Sequence, residues 1–173
     1  MLKAAFAAII FAAAAPVAAA AEVKSALTGE EIASVLSEAG LEAAAMEDAA
    51  SKSPVFKIMS EDGGEFWVRT LDCKGTPTAC STLVLFRNFS LREGVASAMH
   101  YEIVNAYNER KLSGRAYVLK GTGPGGDDQV GVDYVVELDG GVSTEHVARR
   151  IKLWSEIVRA FIQEFQAGRA ARS

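Results

Sequence analysis

Short links between strands govern what this chain can fold into. Leu41–Glu47, Val55–Ser60, Glu65–Asp72 and Ser81–Phe89 each have strand character, and only turns separate them. The turns are Ser51-Lys52-Ser53-Pro54, Glu61-Asp62-Gly63-Gly64 and a loop marked by Gly75 and Pro77. Parallel neighbours need a crossover of a dozen or more residues, so links this short impose antiparallel pairing. In Glu65–Asp72, Phe66, Val68 and Thr70 alternate onto one side. Leu83, Val84, Leu85 and Phe86 form an unbroken apolar run. That pattern predicts a central strand buried on both faces. Farther on, Arg115–Lys120 and Gln129–Leu138 read as a second strand pair around the glycine-rich loop Gly121–Asp128.

Three helices complete the pattern. Thr28 with Glu31 makes a capping box, and Leu27 with Ile32 a hydrophobic staple. Ile32, Val35, Leu36 and Ala39 share the face that follows, and Gly40 supplies the stop. A second helix is expected between about Leu91 and Lys111. Its cap is either Ser90 with Glu93 or, later, Ser97, and its stripe is Val95, Met99, Ile103 and Tyr107. The last helix, capped by Ser143 or Thr144, runs to about Gln166. Val147, Ile151, Trp154, Val158, Phe161 and Phe165 fall at alternating spacings of four and three along it. The expected architecture is α+β: an antiparallel sheet of five to six strands packed with three helices.

The first residues carry the three parts of an export signal: Lys3 as the only charge, an apolar run from Ala4 to about Ala15 broken by Pro16, and the small-residue pattern Ala19-x-Ala21 before Glu22. The segment is alanine-rich and short for a membrane span, so cleavage is favoured over a retained anchor. No cysteine lies near the cut, so a lipid anchor has no support. The chain divides into a signal at 1–21, one domain at 22–168 and a frayed tail at 169–173. The mature product is read as periplasmic or secreted. Its acidic side chains outnumber its basic ones, and removing Lys3 leaves it one charge more negative than the −4 of the full chain. That balance argues against nucleic acid as the main partner.

Cys73 and Cys80 flank the Gly75/Pro77 turn. In an oxidising compartment such a pair reads as a disulfide at the base of a hairpin loop, contributing about 2–3 kcal/mol in the chain-entropy account. A redox pair would usually be spaced Cys-x-x-Cys. Zinc needs about four ligands, and His100 and His146 have no motif spacing to the cysteines.

No other constellation points to chemistry. Gly121-x-Gly123-x-x-Gly126 formally matches a dinucleotide fingerprint, but Asp127, Asp128 and a strand follow where a helix N-terminus must stand. Two adjacent carboxylates do not make a calcium site. His100 reads as a surface or half-buried helical residue. His146 lies in the first turn of the last helix, where the dipole disfavours its charged form. No serine sits in a nucleophile elbow, and Glu30–Glu31 and Glu61–Asp62 fall at solvated positions. The chain therefore reads as a non-enzyme without cofactor or metal. Asn105 and Asn108 stand out more. They share a helical face, and asparagine is a poor helix former, so two in one turn imply either amides that satisfy a neighbouring strand or a polar contact to a partner.

The segments Val104-Asn105-Ala106-Tyr107-Asn108-Glu109-Arg110-Lys111 and Gly114-Arg115-Ala116-Tyr117 resemble the central signature of the YbjN-domain family. Ala39–Ala43 upstream and Gly140–Ser143 leading to Trp154 downstream occur in matching order, over about residues 28 to 165. Tyr107 stands where the family more usually has tryptophan. The resemblance implies a fold similar to type III secretion chaperones, a role as a sensory transduction regulator, no catalytic residues, and a protein or peptide partner or a homodimer. The candidate contacts are Asn105, Tyr107, Asn108, Arg115 and Trp154, together with exposed apolar parts of the last helix. Two other readings remain: a hydrolase or small-ligand enzyme with an unfamiliar site, and an inhibitor that inserts the Cys73–Cys80 loop into an exogenous enzyme.

Overall fold

The computed structural model describes residues 22–60, 63–91, 94, 96–122 and 126–171. The export signal at 1–21, Glu93 of the earlier of the two expected α2 caps, Val95, the Glu61–Asp62 turn residues, Gly123 and the last two residues of the tail lie outside them. Nine strands and three helices are present among the described residues: β1 (Val23–Lys24), β2 (Leu27–Thr28), α1 (Gly29–Glu38), β3 (Ala43–Glu47), β4 (Pro54–Met59), β5 (Glu65–Lys74), β6 (Ala79–Ser90), α2 (Ala98–Arg110), β7 (Arg115–Leu119), β8 (Gln129–Glu137), β9 (Val142–Ser143) and α3 (Thr144–Ala170).

The main sheet is antiparallel throughout, in the order β3-β4-β5-β6-β8-β7, and β2 adds a seventh strand through its own pairing with β6. The count exceeds five to six because β2 is two residues long, too short for any hydrophobic period. It pairs Leu27 with Cys80 immediately ahead of the α1 cap. A separate ribbon pairs β1 with β9 and ties the start of the domain to the entrance of α3.

The local signals act as their chemistry requires. Thr28 Oγ1 accepts from Glu31 N at 3.3 Å, and Glu31 Oε2 accepts from Thr28 N at 2.8 Å, so two orphan donors are satisfied reciprocally. Lys24 bonds the same carboxylate and holds its pKa below the ordinary glutamate value. Gly40, at φ 83°, ends the helix in the left-handed region. α2 starts late, at Ser97. There the His100 ring completes the cap by accepting from Ser97 N through Nδ1 at 3.0 Å. His100 is therefore fully buried, 1% exposed and stacked on Phe165, rather than at the surface or half-buried. α3 is capped by Ser143, which accepts from His146 N at 3.1 Å. It continues past Gln166 to Ala170, so the first two residues of the expected frayed tail, Arg169 and Ala170, are helical. Gly168 allows this: a Cβ there would lie 2.8 Å from Ile103, and only glycine lets α3 run on against α2.

The disulfide Cys73–Cys80 joins register partners at the end of the β5–β6 hairpin. All three helices send their apolar stripes to one face of the sheet. There Ile32 and Leu36 from α1, Val104 and Tyr107 from α2, and Val147, Ile151, Trp154 and Phe161 from α3 meet Phe56, Phe66, Leu83, Leu85 and Val132. Each such side chain contributes roughly 1.5–3 kcal/mol by leaving water. Aromatic pairs organise the layer: Phe66 with Trp154 at 5.8 Å, Phe89 with Phe161 at 5.7 Å, and Tyr107 edge-on to Phe161 at 5.4 Å. β6 is central, as its apolar run predicts, but it is not buried on both faces. Leu83 and Leu85 enter the core, whereas Val84 and Phe86 stay partly exposed on the other side.

Candidate functional site

Strand alternation decides which side chains the helices leave uncovered. Cross-strand partners place Lys57, Trp67, Phe86, Asp133 and Arg115 in one row. A second row runs Met46, Val55, Arg69, Val84 and Val135. None of the apolar members of these rows joins the core cluster. Met46, Met59, Leu71, Leu119 and Val135 all belong to this face by register, and all are exposed, Val135 at 41% and Leu71 at 43%. The sheet thus presents a broad second surface on which apolar and charged side chains alternate.

The charges on this surface are held against it. Lys57 Nζ pairs with Glu65 at 2.5 Å and lies 5.6 Å from the Trp67 ring centroid. The Arg69 guanidinium sits 5.6 Å from the Phe86 centroid. Arg115 forks onto Asp133, with Nε donating to Oδ1 at 3.2 Å and Nη2 to Oδ2 at 2.5 Å. Tyr117 donates to Asn88 Oδ1 at 2.7 Å, and burial, then the nearby Asp133 charge, push its phenol pKa up to about 12.

The five candidate contact residues do not form one site. Tyr107 and Trp154 are core residues, 1% and 2% exposed, so neither presents a surface to a partner. The reason is packing: both aromatic rings fill the layer between helices and sheet. Burial, with a smaller contribution from Glu164, pushes the Tyr107 pKa up to about 12. Asn108 behaves as its structural reading requires. Its Oδ1 accepts from Ala116 N at 2.8 Å and its Nδ2 donates to Ala116 O at 3.0 Å, so the amide completes the free edge of β7 as another strand would. Asn108→Ala should cost about 1 kcal/mol and speed hydrogen exchange at the Ala116 amide by roughly tenfold. An unchanged exchange rate would show that the amide does not guard the edge. Asn105 is exposed on α2. Arg115 alone of the five lies on the uncovered sheet face.

Trp67, Val84, Phe86 and Val135 are therefore the surface residues that reading along the sequence misses. Their signal is the odd-or-even position in each strand, but it becomes a surface only once the register across four strands is known. Among the described residues, no three His, Cys, Asp or Glu side chains gather as metal ligands would. The glycine-rich loop leads from β7 into β8, an antiparallel pair, and not into a helix. Between α2 and α3 a cleft of about 440 Å³ is lined by Ile103, Ala106, Arg110, Glu164, Ala167 and Gly168, with the Arg110–Glu164 pair at 2.9 Å across it. Among the described residues no helix is long and apolar enough to cross a membrane.

Helices on one side of an antiparallel sheet and an open face on the other define a two-layer α+β domain. Residues 28–167 match the YbjN family, described as "Putative bacterial sensory transduction regulator", and the chain belongs to that family. Its structure is similar to one reported as "Crystal structure of YbjN, a putative transcription regulator from E. coli". The likeness has a TM-score of 0.61 at 15% identity and covers 81% of this chain and 92% of that chain. At that identity it speaks for the fold. No curated protein matches the sequence.

Proposed function

We propose that the protein is a non-enzymatic, exported regulatory module that acts in the periplasm by binding another protein chain through the uncovered face of its sheet. The observation that carries this reading is the face itself. Trp67, Val84, Phe86 and Val135 occupy two neighbouring rows of the sheet, with exposed Leu71 one row beyond, outside the core that the helices close. Apolar side chains grouped in this way on a sheet face that no helix covers suit a site of association. Its mixture of aromatic anchors with arginines suits a protein interface. Export is supported by the pattern of residues 1–21 and by the disulfide, which suits an oxidising compartment. Asn105, exposed on α2, and the α2–α3 cleft, lined by Ile103, Ala106 and Ala167 with the Arg110–Glu164 pair, lie on the helical layer, away from this face.

The test is cross-linking in intact cells followed by affinity capture, comparing the wild-type chain with Val84→Glu and Val135→Glu. A chain bound through the sheet face should cross-link to the wild type and fall at least tenfold in both variants. Equal recovery from all three would place binding elsewhere and overturn this reading of the face.

A further inference from the structure

The two edges of the main sheet are finished differently. At β7 the Asn108 amide takes both the N–H and the C=O of Ala116, so a side chain closes that edge. At β3 no such closure is present among the described residues. The ladder fixes which backbone groups point outward there. Asp48 N donates to Ser53 O at 2.9 Å, one position beyond the Glu47–Pro54 pair, so Asp48 faces β4. Pro54 O accepts from Thr70 Oγ1 of β5 at 2.7 Å, so Pro54 faces away from β3. Residues along an antiparallel strand turn alternately to one side and the other. Ala44 and Met46 therefore face β4, and Ala43, Ala45 and Glu47 direct their N–H and C=O groups outward. No backbone partner reaches those outward groups among the described residues. The side chains leave the edge accessible as well. Sheet edges are ordinarily blunted by lysine, proline, a bulge or a covering element. β3 reads Ala-Ala-Ala-Met-Glu, pairs with β4 over five consecutive positions and exposes four of its five residues. Methyl groups above and below the edge leave room for the side chains of another strand.

Charge narrows the occupant. Residues 38–48 carry Glu38, Glu42, Glu47 and Asp48 and no basic side chain. Lys52 pairs with Glu47, Lys57 pairs with Glu65, and the Arg69 charge bears on Asp48. Glu38 and Glu42 are exposed and have no cationic partner among the described residues. A second copy would bring the same acids to the seam. We propose that the outer edge of β3 takes an extended, basic segment of a partner protein as an added strand. The inference rests on the reading of the protein as a binding module and adds a site and a mode to it. The outward groups of Ala43, Ala45 and Glu47 supply the main-chain hydrogen bonds, and alternate side chains of the incoming segment supply specificity. Those on one side meet Met46 and Met59, 44% and 58% exposed on the uncovered face, whose unbranched thioethers adapt to varied neighbours. Glu38 and Glu42 favour lysine or arginine in the segment and disfavour acids. A strand added here continues the uncovered face beyond β3.

The probe is a library of random linear heptapeptides displayed on phage and panned against the full gene product, purified as cells process it. Enriched sequences should alternate apolar residues and carry lysine or arginine with few acids. A synthetic copy of the most enriched peptide should slow hydrogen exchange at the Ala43, Ala45 and Glu47 amides. Ala45→Pro removes an outward N–H and leaves the ladder to β4 intact, so its circular dichroism should match the wild type. It should weaken the peptide at least tenfold. Glu42→Lys should weaken it roughly fivefold, and that loss should shrink in high salt, which a packing defect would not do. Panning that enriches no peptide, or a peptide that binds Ala45→Pro as it binds the wild type, would overturn the proposal. So would exchange at Ala45 that slows with protein concentration alone, since the occupant would then be a second copy. The reading of the sheet face fails separately. If cellular capture is lost in Val84→Glu and Val135→Glu while Ala45→Pro retains both capture and peptide, the face stands and the edge falls. If capture is indifferent to all three variants and no peptide is enriched, both fall.

Discussion

Replacing Trp154 with alanine should remove about 3–5 kcal/mol of folding stability, the range for a large aromatic deleted from a packed core. The indole is 2% exposed on α3 and packs against Phe66 of β5, so it joins the longest helix to the sheet. Alanine would leave a cavity there that neither layer can close without moving the helix. Trp154→Phe should behave differently. The buried Nε1 has no hydrogen-bond partner among the described residues, and a buried N–H left unsatisfied carries a penalty of about 1–3 kcal/mol. Phenylalanine loses volume but also removes that orphan donor, so its midpoint should fall within about 1.5 kcal/mol of wild type. Urea denaturation followed by far-ultraviolet circular dichroism reads both. A Trp154→Ala protein with the wild-type midpoint would mean the indole is not core, and would return it to the surface role that its place in the sequence signature suggests.

That residue also shows how far the sequence is legible. Features fixed by nearest neighbours along the chain can be read directly. The Thr28–Glu31 box, the antiparallel hairpins, the Cys73–Cys80 bridge and the Ser143 cap each need only a few consecutive side chains. Trp154 and Tyr107 lie on apolar helical stripes, which mark them as core, while a signature motif draws them toward a contact role; burial decides for the stripe. His100 reads as a surface or half-buried helical histidine until Asp128 fixes where α2 begins and makes its ring the cap. The uncovered sheet face is hardest to see. Val84 and Phe86 sit in a run whose apolar continuity implies burial on both sides, and nothing local records that every helix packs on the same side. Layering is a property of the crossover β6-α2-β7-β8, and no single segment encodes it.

Asp128 should produce the clearest dependence on pH. It looks like one of two loop acids after a glycine run, yet its carboxylate is almost buried and holds three segments together. Oδ2 accepts from Ala96 N at 2.8 Å, just ahead of α2, and from Lys120 Nζ at 2.7 Å, while Oδ1 accepts from Gly121 N at 2.9 Å. Its backbone adds bonds to Gly94 and Leu91. The Ala96 amide, Lys120 and the Gly121 amide, in that order, hold its pKa at about 2, below the 3.8 of a free aspartate. A carboxylate whose pKa is depressed by folding stabilises the fold at every pH above the unfolded value. That contribution is lost as pH falls from about 3.8 through about 2. Asp128→Ala should therefore lower Tm by about 5–10 °C at pH 7, because the Ala96 and Gly121 amides lose their acceptor. The gap to wild type should narrow steadily between pH 4 and pH 2, where the native carboxylate itself becomes protonated. Asp128→Asn should fall between the two, since the amide oxygen still accepts but carries no charge for Lys120. Calorimetry across pH 2–7 measures all three proteins. A gap between Asp128→Ala and wild type as wide at pH 2 as at pH 7 would show that the carboxylate charge contributes nothing, and that the loop is held by its backbone bonds to Gly94 and Leu91.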